Sequence, residues 1–166
     1  MSEHTLILLR HAKSDWSGAE DDIDRPLAGR GLRQAPDVGR WLRRNIPRID
    51  RAVVSPASRA RGTWNLASRE LDDQPPTVID DRAYAASAGE LLGVVRGLPD
   101  DVTTAVLVGH NPGIEDLVSL LTGEGVMMPT SALAVIAVEG SWSAAGDTTS
   151  VLRASGRPPA DLTGLA

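Results

Sequence analysis

Two rhythms of apolar residues alternate along this chain. Short apolar runs at residues 5–9, 51–55 (RAVVS), 77–79 and 104–109 (TAVLVG) read as strands. Between them apolar residues return every three or four positions, the period of a helix with one buried face. The clearest such stretch is 27–46, with Leu32, Ala35, Val38, Leu42 and Ile46 in step and Pro36 marking a kink or a late start. A second helix is expected from Pro56, at home in a first turn, to about Leu71. A third opens at Ser87, which forms a capping box with Glu90 in SAGE, and runs to about Leu98. The fourth is NPGIEDLVSLLTG, directly after TAVLVG. Residues 131–138 and 149–154 are two more strands suited to pair with each other.

Strand and helix in alternation predict an α/β fold, a three-layer α/β/α sandwich around a mostly parallel central sheet. TAVLVG has no polar alternation, as expected of a strand covered on both faces. Residues 10–26 form a polar loop rich in Ser, Asp and Gly. With no internal repeat and no linker, residues 1–157 are expected to form a single domain, and 158–166, opening on Pro158 and Pro159, a C-terminal tail.

Composition narrows the partners. The 42% hydrophobic and 23% charged content is that of an ordinary globular chain. No apolar run approaches the roughly 20 residues needed to span a bilayer, and the amino terminus has no basic region ahead of its short apolar run, so a cytoplasmic location is expected. The absence of cysteine removes disulfides, thiolate nucleophiles and sulfur-bound zinc. A net charge of -5 argues against nucleic acid as a partner. A monomer is expected, since no exposed apolar helix face stands out.

Chemistry gathers where strands end. The first strand runs into Arg10 and His11, the second into SPASRA with Arg59, and the fourth into GHNP with His110. In a parallel sheet these ends share one edge, where α/β proteins bind ligands. Two guanidinium groups, two imidazoles and the amino ends of two helices suit a phosphoryl group, whose oxygens accept bidentate arginine bonds and helix N–H donors. A neutral imidazole with one nitrogen fixed by a hydrogen bond is also a competent nucleophile toward phosphorus.

LLRHAKSDW, VVSPASRA and VLVGHNPGIEDL together resemble the signatures of the histidine phosphatase superfamily, the phosphoglycerate-mutase-like fold, and within it the small SixA-type phosphohistidine phosphatases. The resemblance implies a metal-independent phosphatase with no cofactor. In it His11 is the nucleophile, Arg10 and Arg59 clamp the phosphoryl oxygens, and His110 completes the phosphate-binding pocket. Lys13, Asp15 and Asn111 are candidates to line that pocket. Ala12 stands where the commonest first signature has glycine, and the segment after the third strand, DDRAYAASAGE, offers no acid clearly placed to protonate a leaving group. An alkoxide needs that proton more than an imidazole does, so the expected substrate is phosphohistidine on a protein partner. A non-catalytic phosphohistidine-binding module and a promiscuous small-molecule phosphomonoesterase are the alternatives. A two-metal phosphoesterase would need more ligands than three histidines supply, and a mutase is disfavoured by the short chain.

Other polar residues read as structural. His4 is expected to be exposed on the amino-terminal arm, Arg61 to face solvent, and Asp24 to fix Arg25 within a solvated Asp21, Asp22, Asp24 loop. Trp41 and Trp64 are expected to pack in or near the core.

Overall fold

The computed structural model describes residues 3–162. Six strands form one sheet: β1 (Glu3–Arg10), β2 (Arg51–Val54), β3 (Thr77–Ile79), β4 (Thr104–Gly109), β5 (Leu133–Glu139) and β6 (Ser150–Gly156). Their order is β3-β2-β4-β1-β5-β6. The first four in that order are mutually parallel, and β5 and β6 are antiparallel, β5 against β1 and β6 against β5. Four helices complete the fold: α1 (Gly29–Asn45), α2 (Ser58–Ser68), α3 (Ala88–Arg96) and α4 (Gly113–Thr122).

The two-residue period of a strand divides the core into two layers. In β1, Leu6 and Leu8 pack with Leu91, Ile114, Leu117 and Trp142 on the α3 and α4 side. Ile7 and Leu9 turn the other way, to Val38, Trp41 and Trp64 of α1 and α2. β4 splits likewise, Ala105 and Leu107 to one face, Val106 and Val108 to the other. The central stretches of both strands, Leu6 to Leu9 and Ala105 to Val108, are apolar without alternation because both of their faces are covered.

The expected elements are present, with shifts at their ends that have physical reasons. Pro36 sits inside α1, which runs on past it. Leu32, expected on the buried face, is 53% exposed, because α1 buries Gly31, Ala35, Val38, Gly39, Trp41 and Leu42 instead. Gly39 is required there: a Cβ on it would lie 2.1 Å from the carbonyl oxygen of Ala67, so α1 and α2 touch backbone to backbone. Pro56 stays outside α2, whose amino end follows a turn in which the Ala57 N–H donates to Ser55 Oγ at 3.2 Å. α3 opens on the expected capping box of Ser87 and Glu90. α4 closes at Gly123, whose φ of +76° favours glycine.

His4 is not exposed as expected but 4% exposed: β1 starts two residues earlier than its apolar run, carrying the ring under Trp142. Its nitrogens lie 2.6 Å from Gly140 O and 3.2 Å from Asp100 O, a structural role. Of the expected tail, Asp161 and Leu162 bond to Asn45 at the end of α1; residues 163–166 lie outside the described residues. Among the described residues no helix is long and apolar enough to cross a membrane.

Candidate active site

The register of β1 on β4 decides where two histidines end. Arg10 lies opposite Gly109, so the next residue of each strand, His11 and His110, leave the sheet side by side. The His11 N–H donates to Gly109 O at 3.1 Å, and the two ring centroids are 5.0 Å apart. On the other side of β4, Val54 pairs with Val108, and the turn after β2 leads into α2, whose second residue is Arg59. Three segments distant in sequence thus meet at the carboxyl edge of the parallel strands.

Hydrogen bonding selects the state of His11. Its Nδ1 lies 2.8 Å from the carbonyl oxygen of Ala12. A carbonyl only accepts, so Nδ1 carries the proton and Nε2 presents its lone pair. Burial pushes the His11 pKa down to about 4, opposed by the bond to Ala12 and helped by the charges of Arg59, Arg10 and Arg25. His110 is pushed down to about 3 by burial, then by His11 and Arg59, with Asp22 opposing. Both rings are neutral at neutral pH.

Arg10 Nε, Arg59 Nε and His110 Nδ1 are all buried without a partner, half of the six such side-chain atoms among the described residues. A buried polar group left unpaired costs on the order of 1–3 kcal/mol. Three of them around one histidine form a donor set that an anion with several acceptor oxygens satisfies.

Both arginines are held by their remaining nitrogens. Arg10 Nη1 donates to Met128 O at 3.1 Å. Arg59, 6% exposed, donates through Nη1 to Asp22 O at 2.6 Å and through Nη2 to Asp22 Oδ2 at 3.1 Å. Asp22 is a hub: Oδ2 also accepts from the Tyr84 hydroxyl, and Oδ1 from Arg25 Nη2 at 3.0 Å. The Tyr84 hydroxyl first, then Arg25 and Arg59, hold its carboxyl far below the usual range. Tyr84 stands edge-on to the His110 ring, centroids 5.6 Å apart. Asp22, not Asp24, therefore fixes Arg25, whose guanidinium also covers the Trp16 ring at 3.5 Å.

The structure brings Arg10, His11, Arg59 and His110 together as expected, and separates the three candidates for the lining. Asn111 is committed to the wall: Nδ2 donates to Met128 O at 2.8 Å and Glu115 Oε2 at 2.9 Å. Asp15 turns its carboxylate to Ser17. Lys13 is fixed through its backbone, by Gln34 and Ala28. Sequence reasoning missed Asp22, Tyr84 and Ser55. Only the three-residue step from Asp22 to Arg25 and the place of Ser55 inside SPASRA hinted at two of them, and nothing marked Tyr84 beyond its being the single tyrosine.

Among the described residues no three His, Asp or Glu side chains are grouped to hold a metal ion. A groove of about 670 Å³ lies at the opposite sheet edge, lined by Arg43, Arg48, Arg51, Asp72 and Asp101 among others. Its charges neutralise one another, Arg43 with Asp72 and Arg48 with Asp50, and no histidine lines it.

Residues 6–96 match the family model of the histidine phosphatase superfamily (branch 1). An uncharacterized protein of Mycobacterium tuberculosis is 38% identical over 146 residues, 81% of this chain and 90% of that protein. The phosphohistidine phosphatase SixA of Escherichia coli is 27% identical over 140 residues, 82% of this chain and 86% of its own. A structure from Nakamurella multipartitia, described as a candidate phosphohistidine phosphatase SixA, aligns with a TM-score of 0.84 at 27% identity over 94% of this chain and 96% of that one.

Proposed function

The chain belongs to the histidine phosphatase superfamily (branch 1) and its fold is phosphoglycerate-mutase-like; from that premise we propose that it is a metal-independent phosphatase whose His11 is transiently phosphorylated. The observation that carries this reading is His11, with Nδ1 tied to Ala12 O, set beside the unpaired donors Arg10 Nε, Arg59 Nε and His110 Nδ1.

In the first step the Nε2 lone pair of His11 bonds to phosphorus while the bond from phosphorus to the leaving group breaks. The leaving atom keeps that electron pair and takes a proton from solvent. In the second step a water oxygen bonds to phosphorus, the phosphorus–Nε2 bond breaks, the water proton passes to solvent, and phosphate departs with His11 restored. Arg10, Arg59 and His110 donate to the non-bridging oxygens throughout, most strongly as charge builds on them. No cofactor enters.

The substrate favoured by this reading is phosphohistidine on a protein partner. The name of the Escherichia coli relative supports it, and so does the state of the nearby carboxyl groups. Asp22 is held ionised, Glu115 accepts from Asn111 Nδ2 and the Met128 N–H, and Glu90 is engaged in its capping box. None is poised to protonate an alkoxide, whereas a departing imidazole needs less help.

The test is hydrolysis of a phosphohistidine peptide and an aryl phosphate, with chelator present, by the parent and His11→Ala. The expected result is an active parent that prefers the peptide and a folded but inactive variant. Preference for the ester would favour a promiscuous phosphomonoesterase. Vanadate binding without turnover of either substrate would leave a phosphohistidine-binding module.

A further inference from the structure

Ser55 is fully buried at the end of β2, and its hydroxyl has two partners among the described residues. Its oxygen accepts from the Ala57 N–H at 3.2 Å and lies 2.7 Å from His110 Nε2. The one proton of that hydroxyl must go somewhere, because a buried donor left unpaired is costly. Among the described residues His110 Nε2 is the only acceptor it meets. If Nε2 instead carried a proton and donated to Ser55, the hydroxyl proton would be stranded, and His110 Nδ1 would present a lone pair to whatever anion the arginines hold. With the Ser55 proton on the Nε2 side, every group is satisfied except the Nδ1–H, which is left as a donor without a partner on a ring 5.0 Å from that of His11. Tyr84 packs against that ring in a T-shaped contact, centroids 5.6 Å apart.

We propose that Ser55 is a positioning residue: its hydroxyl donates to Nε2 of His110 and locks that ring as the neutral Nδ1–H tautomer, so that a hydrogen-bond donor is aimed at a phosphoryl oxygen. This rests on the reading of His110 as a phosphoryl-binding group. His110 thus contributes direction without charge, and the positive charge of the pocket comes from Arg10 and Arg59. The sequence neighbours serve the same end, since the register of Val54 on Val108 places Ser55 beside the residue that precedes His110.

Long-range proton–nitrogen NMR on the 15N-labelled full chain reads the tautomer directly, with His110→Gln to assign the signals. The parent is expected to show His110 protonated at Nδ1 and bare at Nε2, and inorganic phosphate is expected to shift that Nδ1–H. In Ser55→Ala the ring reverts toward the Nε2–H form preferred by free imidazole. If about a fifth of molecules keep the competent tautomer, kcat/KM falls about fivefold in proportion. Ser55→Thr, which retains the hydroxyl, restores both the tautomer and the rate. A parent carrying the proton on Nε2, or a Ser55→Ala variant that stays wholly Nδ1–H, overturns the proposal. If Ser55→Ala does not fold, the parent spectrum and Ser55→Thr decide. Should the parent hydrolyse no phosphorylated substrate, the proposed function fails while the tautomer and its response to phosphate remain measurable.

Discussion

Replacing Asp22 with asparagine tests how Arg59 is held. The carboxylate serves three donors at once, Arg59 and Tyr84 through Oδ2 and Arg25 through Oδ1. Asparagine keeps the shape but retains one acceptor oxygen, and its amide hydrogens would face donors. It can serve Arg59 or Arg25, not both. Each arginine keeps one other bond, Arg59 to Asp22 O at 2.6 Å and Arg25 to Ser14 Oγ at 2.6 Å, so the site loosens without collapsing. A hydrogen bond to a charged group contributes about 1.5–3 kcal/mol. The Asp22 side chain is 51% exposed, and solvent screening reduces the loss to about 1–2 kcal/mol. For a domain of this size that lowers Tm by about 2–8 °C. Removing a negative charge beside Arg59 also leaves the pocket more positive, so vanadate inhibition tightens severalfold at low salt and less at high salt. Thermal melts and inhibition constants at two salt concentrations make the check. An unchanged Tm together with weaker vanadate binding would refute this account of Arg59.

Stability should also fall in acid. His11 and His110 have folded pKa values pushed down to about 4 and about 3, below the roughly 6.5 of an unfolded histidine. Between those values the unfolded chain binds two protons that the folded chain does not, so stability is full above about pH 6.5 and is lost as pH falls toward 4. Denaturant melts should show that slope, and His110→Gln should reduce it by about half; a parent as stable at pH 5 as at pH 7.5 would contradict the burial of both neutral rings. Gly39→Ala sets a Cβ against the Ala67 carbonyl and should cost about 1–3 kcal/mol, whereas Gly93→Ala, which meets nothing within 4 Å, should stabilise α3 by roughly 0.5–1 kcal/mol. Equal melting temperatures for the two variants would show that α1 and α2 do not meet as described.

What could be read from the sequence follows from how local each signal is. TAVLVG is uniformly apolar because the sheet buries both of its faces, and SAGE carries its capping box within four residues. The clustering of Arg10, His11, Arg59 and His110 was legible because each lies at or shortly after the end of a strand, and parallel strands share an edge. The misreadings all depend on contacts with distant segments. Leu32 fits the helical period, yet the contact of Gly39 with Ala67 turns α1 so that Leu32 faces solvent. Of three nearby aspartates, only packing against Arg59 and Tyr84 singles out Asp22. His4 looks like part of a polar arm until Trp142, 138 residues later, covers it.

The seating of His11 beside His110 also bears on how the protein acquires its activity during folding. Those residues come from strands whose partners lie about a hundred positions apart, Thr5 with Thr104 through Arg10 with Gly109. Closing so long a loop is entropically slow, and neither ring can find its place until β4 has slotted between β1 and β2. A nascent chain that has made only its first hundred residues carries His11 but not the His110 that sits beside it. Catalytic competence then waits on the joining of β1, β2 and β4, and its appearance in a refolding experiment is a clock for that long-range pairing rather than for any local element.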